Sequence, residues 1–380
     1  MKFRVERDAL AEAVSWTARS LPARPPVPVL AGLVLNVAGD TLEVSGFDYE
    51  VSTQAELPVH AASAGRALVS GRLLADITKS LPPHPVDVAV DGPRLSISCG
   101  NARFSLPTLP VEDYPALPTM PSTAGTVQAS VFAEAVGQVA IAAGRDDTLP
   151  MLTGVRIEIE AETVTLVATD RFRLALREFT WSPSTPGASA AILVPARTLA
   201  DAAKTLTGGS EVTVSLSTSG VGEGLLGLSG QGKQTTTRLL DAEFLKYRSI
   251  LPPEFSSHAE LDVAAFTEAA KRVALVAERW SPLRCEFSDN AVVLRAGGDE
   301  ESQAEERCEV VFDGETTTIG FNPAFLLDGL AAVHSETARL EMTTPLKPAV
   351  LSAIGGDGGD GGTARAASYR YLIMPVRLPS

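Results

Sequence analysis

A charged turn, Thr169-Asp170-Arg171, is the first place in the chain where residue types could support chemistry. A carboxylate beside a guanidinium could belong to an enzyme site that binds a nucleotide or a metal. An aspartate in a turn also bonds its own backbone and holds the corner. The spacing favours a structural turn, and a functional site is the alternative.

Two glycine-rich segments imitate nucleotide-binding loops. Gly227 and the pair Gly232-Lys233 have the spacing of a phosphate loop, but Gln234 stands where that motif needs Ser or Thr for Mg²⁺. A strand rather than a helix is predicted to follow. A second group of glycines fits a hairpin loop better than a dinucleotide fingerprint, because no strand-then-helix context surrounds it. These glycines are Gly220, Gly222 and Gly224.

No metal site or catalytic nucleophile is predicted. The tract GGDGGDGG, from Gly355 to Gly362, is typical of a flexible linker rather than a calcium loop. The four histidines are scattered and form no Ser, His and Asp constellation; they are His60, His84, His258 and His334. The three cysteines lack CxxC spacing and are expected to be buried or bystander thiols; they are Cys99, Cys285 and Cys308. We expect neither a cofactor nor a catalytic residue.

The composition is that of a soluble globular protein, with 45% hydrophobic and 21% charged residues over 380 positions. No run of about 18 apolar residues could span a bilayer. The N-terminus, MKFRVERDAL, carries charges where a signal peptide would be apolar, so the expected location is the cytoplasm, with no membrane partner. The net charge of −14 argues against a surface that grips nucleic acid everywhere, although a locally basic surface remains compatible with it.

The elements around the charged turn form a predicted three-stranded meander between Leu149 and Glu178. Apolar and polar residues alternate in Val155–Ile159, Val164–Ala168 and Phe172–Arg177, as expected for half-buried strands. The turn at Thr169 joins the last two strands.

Related versions of this plan occur three times. The segments VSGRLLADITKSL and VPARTLADAAKTL share V-x-x-R-x-L-A-D, and GFNPAFLLDGLAAV occupies the same place in the third copy. The period of about 125 residues is too long for a solenoid and predicts three whole domains of plan β-α-β-β-β-α-β-β-β. We expect domain boundaries at 1–121, 122–256 and 257–380. Edge strands of like domains can pair head to tail, and such contacts close into a ring when the rotation allows.

Several motifs then carry a resemblance over essentially the whole chain: MKFRVERDAL, RPPVPVLAGL, FSLPTLPVEDYP, LPMLTGVRIEI with VATDRFRLA, FNPAFLLDGL and YLIMPVRL. The chain resembles the bacterial sliding clamps, the β subunits of the DNA polymerase III holoenzyme, of actinobacterial type. The resemblance implies an α+β fold of three similar DNA-clamp domains, each with two helices packed on antiparallel sheet. It also implies a head-to-tail homodimer that forms a ring around duplex DNA and tethers the replicative polymerase without catalysing a reaction.

The resemblance implies three sets of functional residues. The first is a set of basic residues on or beside the repeat helices that contact DNA loosely and without sequence preference: Arg24, Arg72, Lys79, Arg197, Lys204, Lys271, Arg272 and Arg279. Solvated helix faces are the alternative for any one of them. The second is a dimer contact of Ile77, Phe104 and Leu106 against Ala274 and Leu275.

The third set is a groove that binds short apolar peptides of the polymerase III alpha subunit, the clamp loader delta subunit and other proteins with clamp-binding motifs. Its residues are Leu152, Thr169, Arg171, Phe172, Arg173, Leu174, Leu245, Ile250, Leu346, Pro348, Leu372, Met374, Pro375, Val376, Arg377 and Leu378. The alternative for the segment from Leu372 to Leu378 is a plain core strand.

Leu245 stands where the family usually has proline, which suggests an altered ligand preference. The rival hypothesis is therefore a specialised second clamp copy, resistant to a groove-binding inhibitor, or a peptide-binding paralogue that no longer works as a clamp.

Overall fold

The computed structural model describes residues 1–217, 224–278, 281–298, 302–354 and 368–378. The chain groups into two compact units. The first contains Met1–Phe132, Ser182–Pro186 and Asp201–Leu239, and the second contains Ala133–Trp181, Gly187–Ala200 and Leu240–Ser380. Among the described residues, no helix has both the length and the apolar character needed to cross a membrane.

The elements follow the three predicted copies. The first copy contains β1 Lys2–Val5, α1 Arg7–Thr17, β2 Gly32–Ala38, β3 Thr41–Phe47, β4 Val51–Pro58, β5 His60–Ser63, β6 Gly65–Ser70, α2 Gly71–Ser80, β7 Val86–Asp91, β8 Arg94–Cys99 and β9 Ala102–Leu109. The second contains β10 Thr123–Gln128, α3 Ala129–Ala140, α4 Pro150–Thr153, β11 Gly154–Glu160, β12 Thr163–Thr169, β13 Arg173–Thr180, β14 Ser182–Pro183, β15 Ser189–Pro195, α5 Ala196–Thr205, β16 Glu211–Ser217, β17 Leu225–Gly230 and β18 Lys233–Arg238. The third contains β19 Ser257–Asp262, α6 Val263–Ala274, β20 Leu283–Ser288, β21 Ala291–Ala296, β22 Ala304–Glu309, β23 Val311–Asp313, β24 Thr317–Phe321, α7 Pro323–Ala332, β25 Thr337–Met342, β26 Ala349–Ile354 and β27 Tyr369–Ile373.

All strand pairs of the three sheets are antiparallel. The first unit holds one 14-stranded sheet of order β14-β10-β16-β17-β18-β4-β3-β2-β6-β9-β8-β7-β1-β5. The second unit holds a nine-stranded sheet, β15-β11-β12-β13-β27-β26-β25-β19-β23, and a four-stranded sheet, β22-β21-β20-β24. The predicted meander is confirmed as β11, β12 and β13. Strands of successive copies pair where β4 meets β18 and where β13 meets β27, so these edges are covered as expected.

Each copy has a strand directly before its second principal helix that the sequence plan missed: β6, β15 and β24. The reason is their burial pattern. Each contains three consecutive buried residues instead of an alternating pattern, and a short continuous apolar run gives no period that separates strand from helix. The helix after β24 begins where Asn322 Oδ1 accepts from the backbone N–H of Ala324 at 3.0 Å, with Pro323 at the first helical position.

The Gly232-Lys233 segment and the cysteines have structural positions and do not form nucleotide or metal sites within the described residues. Gly232 lies in the turn between β17 and β18, and Lys233 begins β18, so a strand and not a helix follows this loop. The Nζ of Lys233 contacts Glu12 Oε1 at 2.6 Å. Cys99 and Cys285 are buried and Cys308 is half-buried, all as free thiols. Among the described residues, no group of three or more His, Cys, Asp or Glu side chains could hold a metal ion. Gly220, Gly222 and the Gly355–Gly362 tract lie outside the described residues.

Tyr114 ties the segment after β9 to the first copy's sheet. Its hydroxyl accepts a hydrogen bond from the backbone N–H of Phe47 at 2.7 Å, inside a cluster that includes Leu30, Val34 and Leu68. Burial raises the pKa of Tyr114 to about 12. The hydroxyl is therefore a neutral, buried partner of a backbone donor that would otherwise lack one.

Replacing Tyr114 with phenylalanine is expected to lower the free energy of unfolding by about 1–3 kcal/mol, because the Phe47 N–H then loses a buried acceptor. Urea unfolding followed by fluorescence measures the change. Tyr369→Phe is the matched control, since the buried Tyr369 hydroxyl has no hydrogen-bond partner within the described ranges. Its removal is expected to be neutral or stabilising, and equal costs for the two variants would contradict the assignment.

Candidate functional site

The charged turn is fixed by its own side chains. Asp170 Oδ1 accepts hydrogen bonds from the backbone N–H groups of Phe172 and Arg173, both at 3.0 Å. Thr169 Oγ1 accepts from the N–H of Arg171 at 3.1 Å and donates to the carbonyl of Arg173 at 2.6 Å. Asp170 therefore shapes the turn, as its sequence context predicted. Arg171 has a φ of +81°, a conformation that is uncommon for residues other than glycine.

Arg173 anchors this turn on α7. Its Nε donates to Asp170 Oδ2 at 3.0 Å and its Nη1 to Asp328 Oδ2 at 2.5 Å. The guanidinium lies 4.4 Å from the centre of the Phe325 ring, and the Tyr371 hydroxyl donates to the Phe325 carbonyl at 2.8 Å. Burial alone would disfavour its charge, but Tyr371, Asp328 and Asp170 together raise the pKa of Arg173 above its ordinary value. Arg173 therefore stays charged and links the turn to α7 through Asp170 and Asp328.

An apolar cluster lies beside the turn and joins three segments that are distant in sequence. Leu174 of β13 and Leu372 of β27 are buried in it, and Leu245 and Met374 are half-buried against it. Their companions are Val167, Leu176, Leu193, Phe244, Tyr247 and Val350, with Met151, Leu240, Ala242, Leu251 and Phe255 packed around them. The structure therefore brings together four of the apolar groove residues predicted from the sequence.

The remaining groove candidates divide into several locations. Phe172 is 57% exposed and stacks on Phe325 with ring centres 6.3 Å apart. The backbone N–H of Val376 donates to the Gly320 carbonyl at 2.8 Å, and Leu378 approaches the same glycine, so both lie against β24.

The other groove candidates range from buried to exposed. Leu152 is buried in α4 and Thr169 is buried in the turn, whereas Ile250 and Leu346 are exposed. Pro348 and Pro375 are half-buried, and Arg171 and Arg377 are exposed.

The predicted DNA-facing residues within the described ranges are all exposed. On α2 and α5 they recur with the same spacing, Arg72 with Lys79 and Arg197 with Lys204, so each pair lies on one helix face. On α6, Lys271 pairs with Glu268 at 2.8 Å and Arg272 with Glu306 at 2.5 Å. Arg24 lies in the loop after α1, and Arg279 lies outside the described residues.

The predicted dimer residues differ in exposure. Ile77 and Leu106 are buried in the core of the first unit, and Phe104 packs half-buried against that core. Ala274 is half-buried at the end of α6, and Leu275, which follows it, is 83% exposed. Leu275 is therefore the member of this set with the most apolar surface open to solvent.

Three family models match the chain in succession. The N-terminal domain of the DNA polymerase III beta subunit matches residues 1–118, its central domain matches 126–246 and its C-terminal domain matches 248–377. The chain belongs to this family. The predicted recognition and the α+β fold of three clamp domains are confirmed.

Full-length relatives support the same membership. The beta sliding clamp of Streptomyces coelicolor is 56% identical over 378 residues and covers 100% of both chains. The beta sliding clamp homolog GriR of Streptomyces muensis is 44% identical over 377 residues, with 99% of each chain covered. Among solved structures, the Pseudomonas aeruginosa sliding clamp bound to griselimycin is 27% identical, has a TM-score of 0.90 and covers 100% of both chains.

One polar contact beside the apolar cluster of this clamp was not found from the sequence. The Tyr247 hydroxyl donates to Glu158 Oε2 at 2.9 Å, and Arg248 Nη2 contacts the same oxygen at 2.8 Å. Arg248 also lies over the Tyr247 ring at 4.8 Å. These contacts hold the 3₁₀ turn Tyr247–Ser249 against β11. The segment Tyr247-Arg248 places a phenol next to a guanidinium, which could have indicated a shared acceptor. That acceptor, Glu158, lies 89 residues earlier in the sequence.

Glu158 gives the clamp a pH-dependent contribution to stability. Burial acts to raise the pKa of Glu158, but the hydrogen bonds from Tyr247 and Arg248 outweigh it and hold that pKa below its ordinary value. A carboxyl with a lowered folded pKa stabilises the protein above the unfolded pKa of about 4.3 and loses this contribution as pH falls through the folded pKa.

We therefore expect Glu158→Gln to cost about 1–2 kcal/mol of unfolding free energy at pH 7, because hydrogen bonds to a charged acceptor are the stronger kind. The difference between wild type and variant is expected to shrink steadily below about pH 4.3. Urea titrations at pH 7, 5, 4 and 3 measure it, with Glu160→Gln as the exposed control on the same strand. A pH-independent difference would contradict a role for the carboxylate charge.

Proposed function

We propose that the chain is a working DNA sliding clamp, which encircles duplex DNA as a homodimeric ring and tethers the replicative polymerase and other replication and repair proteins. The observation that carries the proposal is the succession of three clamp domains over the whole chain. A full-length relative that is 56% identical and is itself a beta sliding clamp supports it. The clamp acts in the cytoplasm as a non-catalytic processivity subunit.

We also propose the boundaries and the assembly. The proposed domains span residues 1–121, 122–256 and 257–380; the family models match 1–118, 126–246 and 248–377, so the third match begins nine residues before the proposed third domain. Two chains associate head to tail, the first domain of one against the third domain of the other. Because like domains already pair strands at β4 with β18 and at β13 with β27, a further contact between like domains follows the same logic.

The basic residues give the ring a loose, sequence-independent contact with phosphate. The exposed pairs on α2 and α5 are the strongest candidates, since no carboxylate within the described part of the chain forms an ion pair with Arg72, Lys79, Arg197 or Lys204. Lys271 and Arg272 contribute less, because each already contacts a glutamate. An overall charge of −14 then keeps DNA from binding elsewhere on the surface.

The groove tethers the partners. Leu245 and Met374 are half-buried over a cluster that includes the buried Leu174 and Leu372, beside the exposed Phe172 and the arginine-bearing turn. An apolar surface bordered by guanidinium groups suits a linear peptide with apolar anchors and polar flanks. The peptides of the polymerase alpha subunit and of the clamp loader delta subunit are the proposed ligands.

The decisive test is retention on DNA. The clamp is loaded onto nicked circular DNA by a clamp loader and the complex is isolated by gel filtration, before and after linearisation. A topological ring remains on the circle and is lost from the linear molecule. Equal retention on both forms, or failure to load at all, would contradict the proposal and favour a paralogue that binds peptides only.

A second experiment tests the basic residues. Replacing Arg72, Lys79, Arg197 and Lys204 together with alanine is expected to reduce the dependence of DNA binding on salt, because fewer counterions are released. Binding is measured as a function of KCl concentration. Lys246→Ala, an exposed lysine outside the repeat helices, is the control. An unchanged salt slope in the fourfold variant would show that these are merely solvated helix faces.

One observation favours a second candidate, a specialised clamp copy with an altered groove. Leu245 packs half-buried on the groove cluster in place of the proline that the family usually carries. GriR, to which the chain is 44% identical, and a clamp bound to griselimycin make an inhibitor-resistant groove a specific alternative. Equal affinities of wild type and Leu245→Pro for griselimycin and for a clamp-binding peptide would argue against this candidate.

A further inference from the structure

The junction between the first and second copies repeats the geometry of the groove-forming junction between the second and third. In the first unit, Asp48 Oδ1 accepts from the backbone N–H groups of Glu50 and Val51, at 2.9 and 2.6 Å. This is the arrangement that Asp170 makes with the two N–H groups that follow its turn. The strand after each turn then pairs with the last strand of the next copy, β4 with β18 and β13 with β27.

The correspondence holds position by position. Tyr49 follows Asp48 with a φ of +78°, as Arg171 follows Asp170 with a φ of +81°. The backbone N–H of Arg238 donates to the Glu50 carbonyl at 3.0 Å, and the N–H of Met374 donates to the Phe172 carbonyl at 2.8 Å. Tyr49 thus takes the place of Arg171, Glu50 that of Phe172, and Arg238 that of Met374.

A cavity of about 240 Å³ lies at this equivalent position. It is lined by Phe47, Tyr49, Glu50, Pro118, Leu225 and Arg238. The Phe47 ring meets the Tyr49 ring edge to face at 5.7 Å and forms part of an apolar wall. The volume is below the range of drug-sized pockets and suits one large side chain of a ligand.

The charged groups at the cavity have no salt-bridge partners among the residues that the structure describes. The Arg238 Nε donates to the Tyr49 carbonyl at 3.1 Å, and within the described ranges the two terminal nitrogens of Arg238 make no hydrogen bond. Both Arg238 and Glu50 are exposed. A guanidinium with free planar donors is the group best matched to a carboxylate.

The backbone conformation of Tyr49 also supports a binding site at this cavity. A bulky aromatic residue with positive φ is a strained backbone position, and here the side chain stays 45% exposed instead of filling a core. Backbone strain of this kind concentrates at functional sites, and here the Tyr49 side chain lines the cavity.

We propose that this cavity is a second peptide pocket of the clamp, which binds a short linear peptide by one aromatic or large aliphatic side chain and a neighbouring carboxylate. The apolar side chain enters between Tyr49, Pro118 and Leu225, and the carboxylate pairs with Arg238. Glu50 accepts a hydrogen bond from the peptide's amide. That the ligand is a peptide rests on the proposed function of the equivalent groove; the cavity and its chemistry do not.

The test uses the full-length clamp and two small probes, N-acetyl-phenylalanine and its uncharged amide, titrated by ligand-observed NMR. The carboxylate is expected to bind in the millimolar range, about threefold or more tighter than the amide. Arg238→Gln is expected to weaken the carboxylate by about fivefold and to abolish the preference over the amide.

Tyr49→Gly separates binding from stability. It is expected to weaken both probes by about fivefold, since the aromatic wall is lost. It is expected to leave the melting temperature equal or higher, because glycine adopts a positive φ without strain. Ala161→Gly, which also relieves a positive φ but lies at the turn between β11 and β12, is the matched control and should leave probe binding unchanged.

Met374→Asp distinguishes the two pockets. It is expected to remove binding of a clamp-binding peptide at the groove and to leave the small probes unaffected. Loss of probe binding in Met374→Asp would place the probes in the groove and overturn the second pocket, as would unsaturable binding or indifference to Arg238→Gln and Tyr49→Gly. Failure of a clamp-binding peptide to bind wild type would instead contradict the proposed groove function alone.

Discussion

Met374→Asp is expected to weaken binding of a clamp-binding peptide by about 30-fold or more, the loss typical of a residue at the centre of an interface. Met374 lies just past the end of β27, half-buried against Leu372 and the rest of the groove cluster. A carboxylate there would lie against an apolar surface, and a bound peptide would bury it without a partner. The backbone N–H that donates to the Phe172 carbonyl is kept, so the strand pairing survives.

Fluorescence anisotropy with a labelled peptide measures the affinity, and circular dichroism confirms the fold. Leu346→Asp adds the same charge at another predicted groove residue, which is 63% exposed and lies outside the cluster. Its effect is expected to be severalfold smaller. If both variants bound like wild type, the peptide surface would not include β27, and the segment from Leu372 to Leu378 would be a core strand and nothing more.

Features that depend on local sequence were predictable. The meander followed from alternation, and the role of Asp170 followed from the turn chemistry of aspartate. Asp48 accepts the same backbone hydrogen bonds in the first copy, so the tendency of aspartate to stabilise a turn holds at both positions. The strands β6, β15 and β24 were missed because local pattern is silent when both faces of a strand are buried.

Contacts between distant segments were not predictable from periodicity. Arg173 was assigned to the groove by resemblance, but its partner Asp328 lies 155 residues away. Tyr247 and Glu158 form the same kind of long-range pair. Choosing such partners requires knowing which strands become neighbours, and the pairing of β13 with β27 is set by packing across copies and not by either strand alone.

The sequence carries no motif that predicts a site at the junction between the first and second copies. Resemblance directs attention to the junction at which partners of other clamps bind. The bare sequence around Asp48 and Arg238 carries no comparable motif, because 189 residues separate Tyr49 from Arg238. The shared hydrogen bonds and the matching strand pairs, β4 with β18 and β13 with β27, show that the two junctions are equivalent.

Leu275→Asp is expected to convert the clamp from a dimer to a monomer at micromolar concentration and to abolish retention on circular DNA. Leu275 follows α6 and exposes 83% of its surface, which makes it the most exposed large apolar residue of the described chain. Leu275 belongs to the dimer contact that the family resemblance implies, where its side chain would be buried against the partner chain. An aspartate buried there would be an unpaired charge, and we expect it to reduce the free energy of dimer formation by several kcal/mol.

Sedimentation velocity measures the dimer, and loading onto nicked circular DNA measures retention. Val311→Asp is the matched control, because Val311 is also an exposed apolar residue of the third copy, at 63%, but lies on the short edge strand β23. Leu275→Ala is expected to weaken the dimer without a charge, so that loss of packing and burial of charge are separated. A Leu275→Asp variant that stayed dimeric and stayed on circular DNA would place the subunit contact away from the end of α6. Monomers that were nevertheless retained on the circle would rule out a dimeric ring as the means of retention, since a single chain would then have to enclose the DNA.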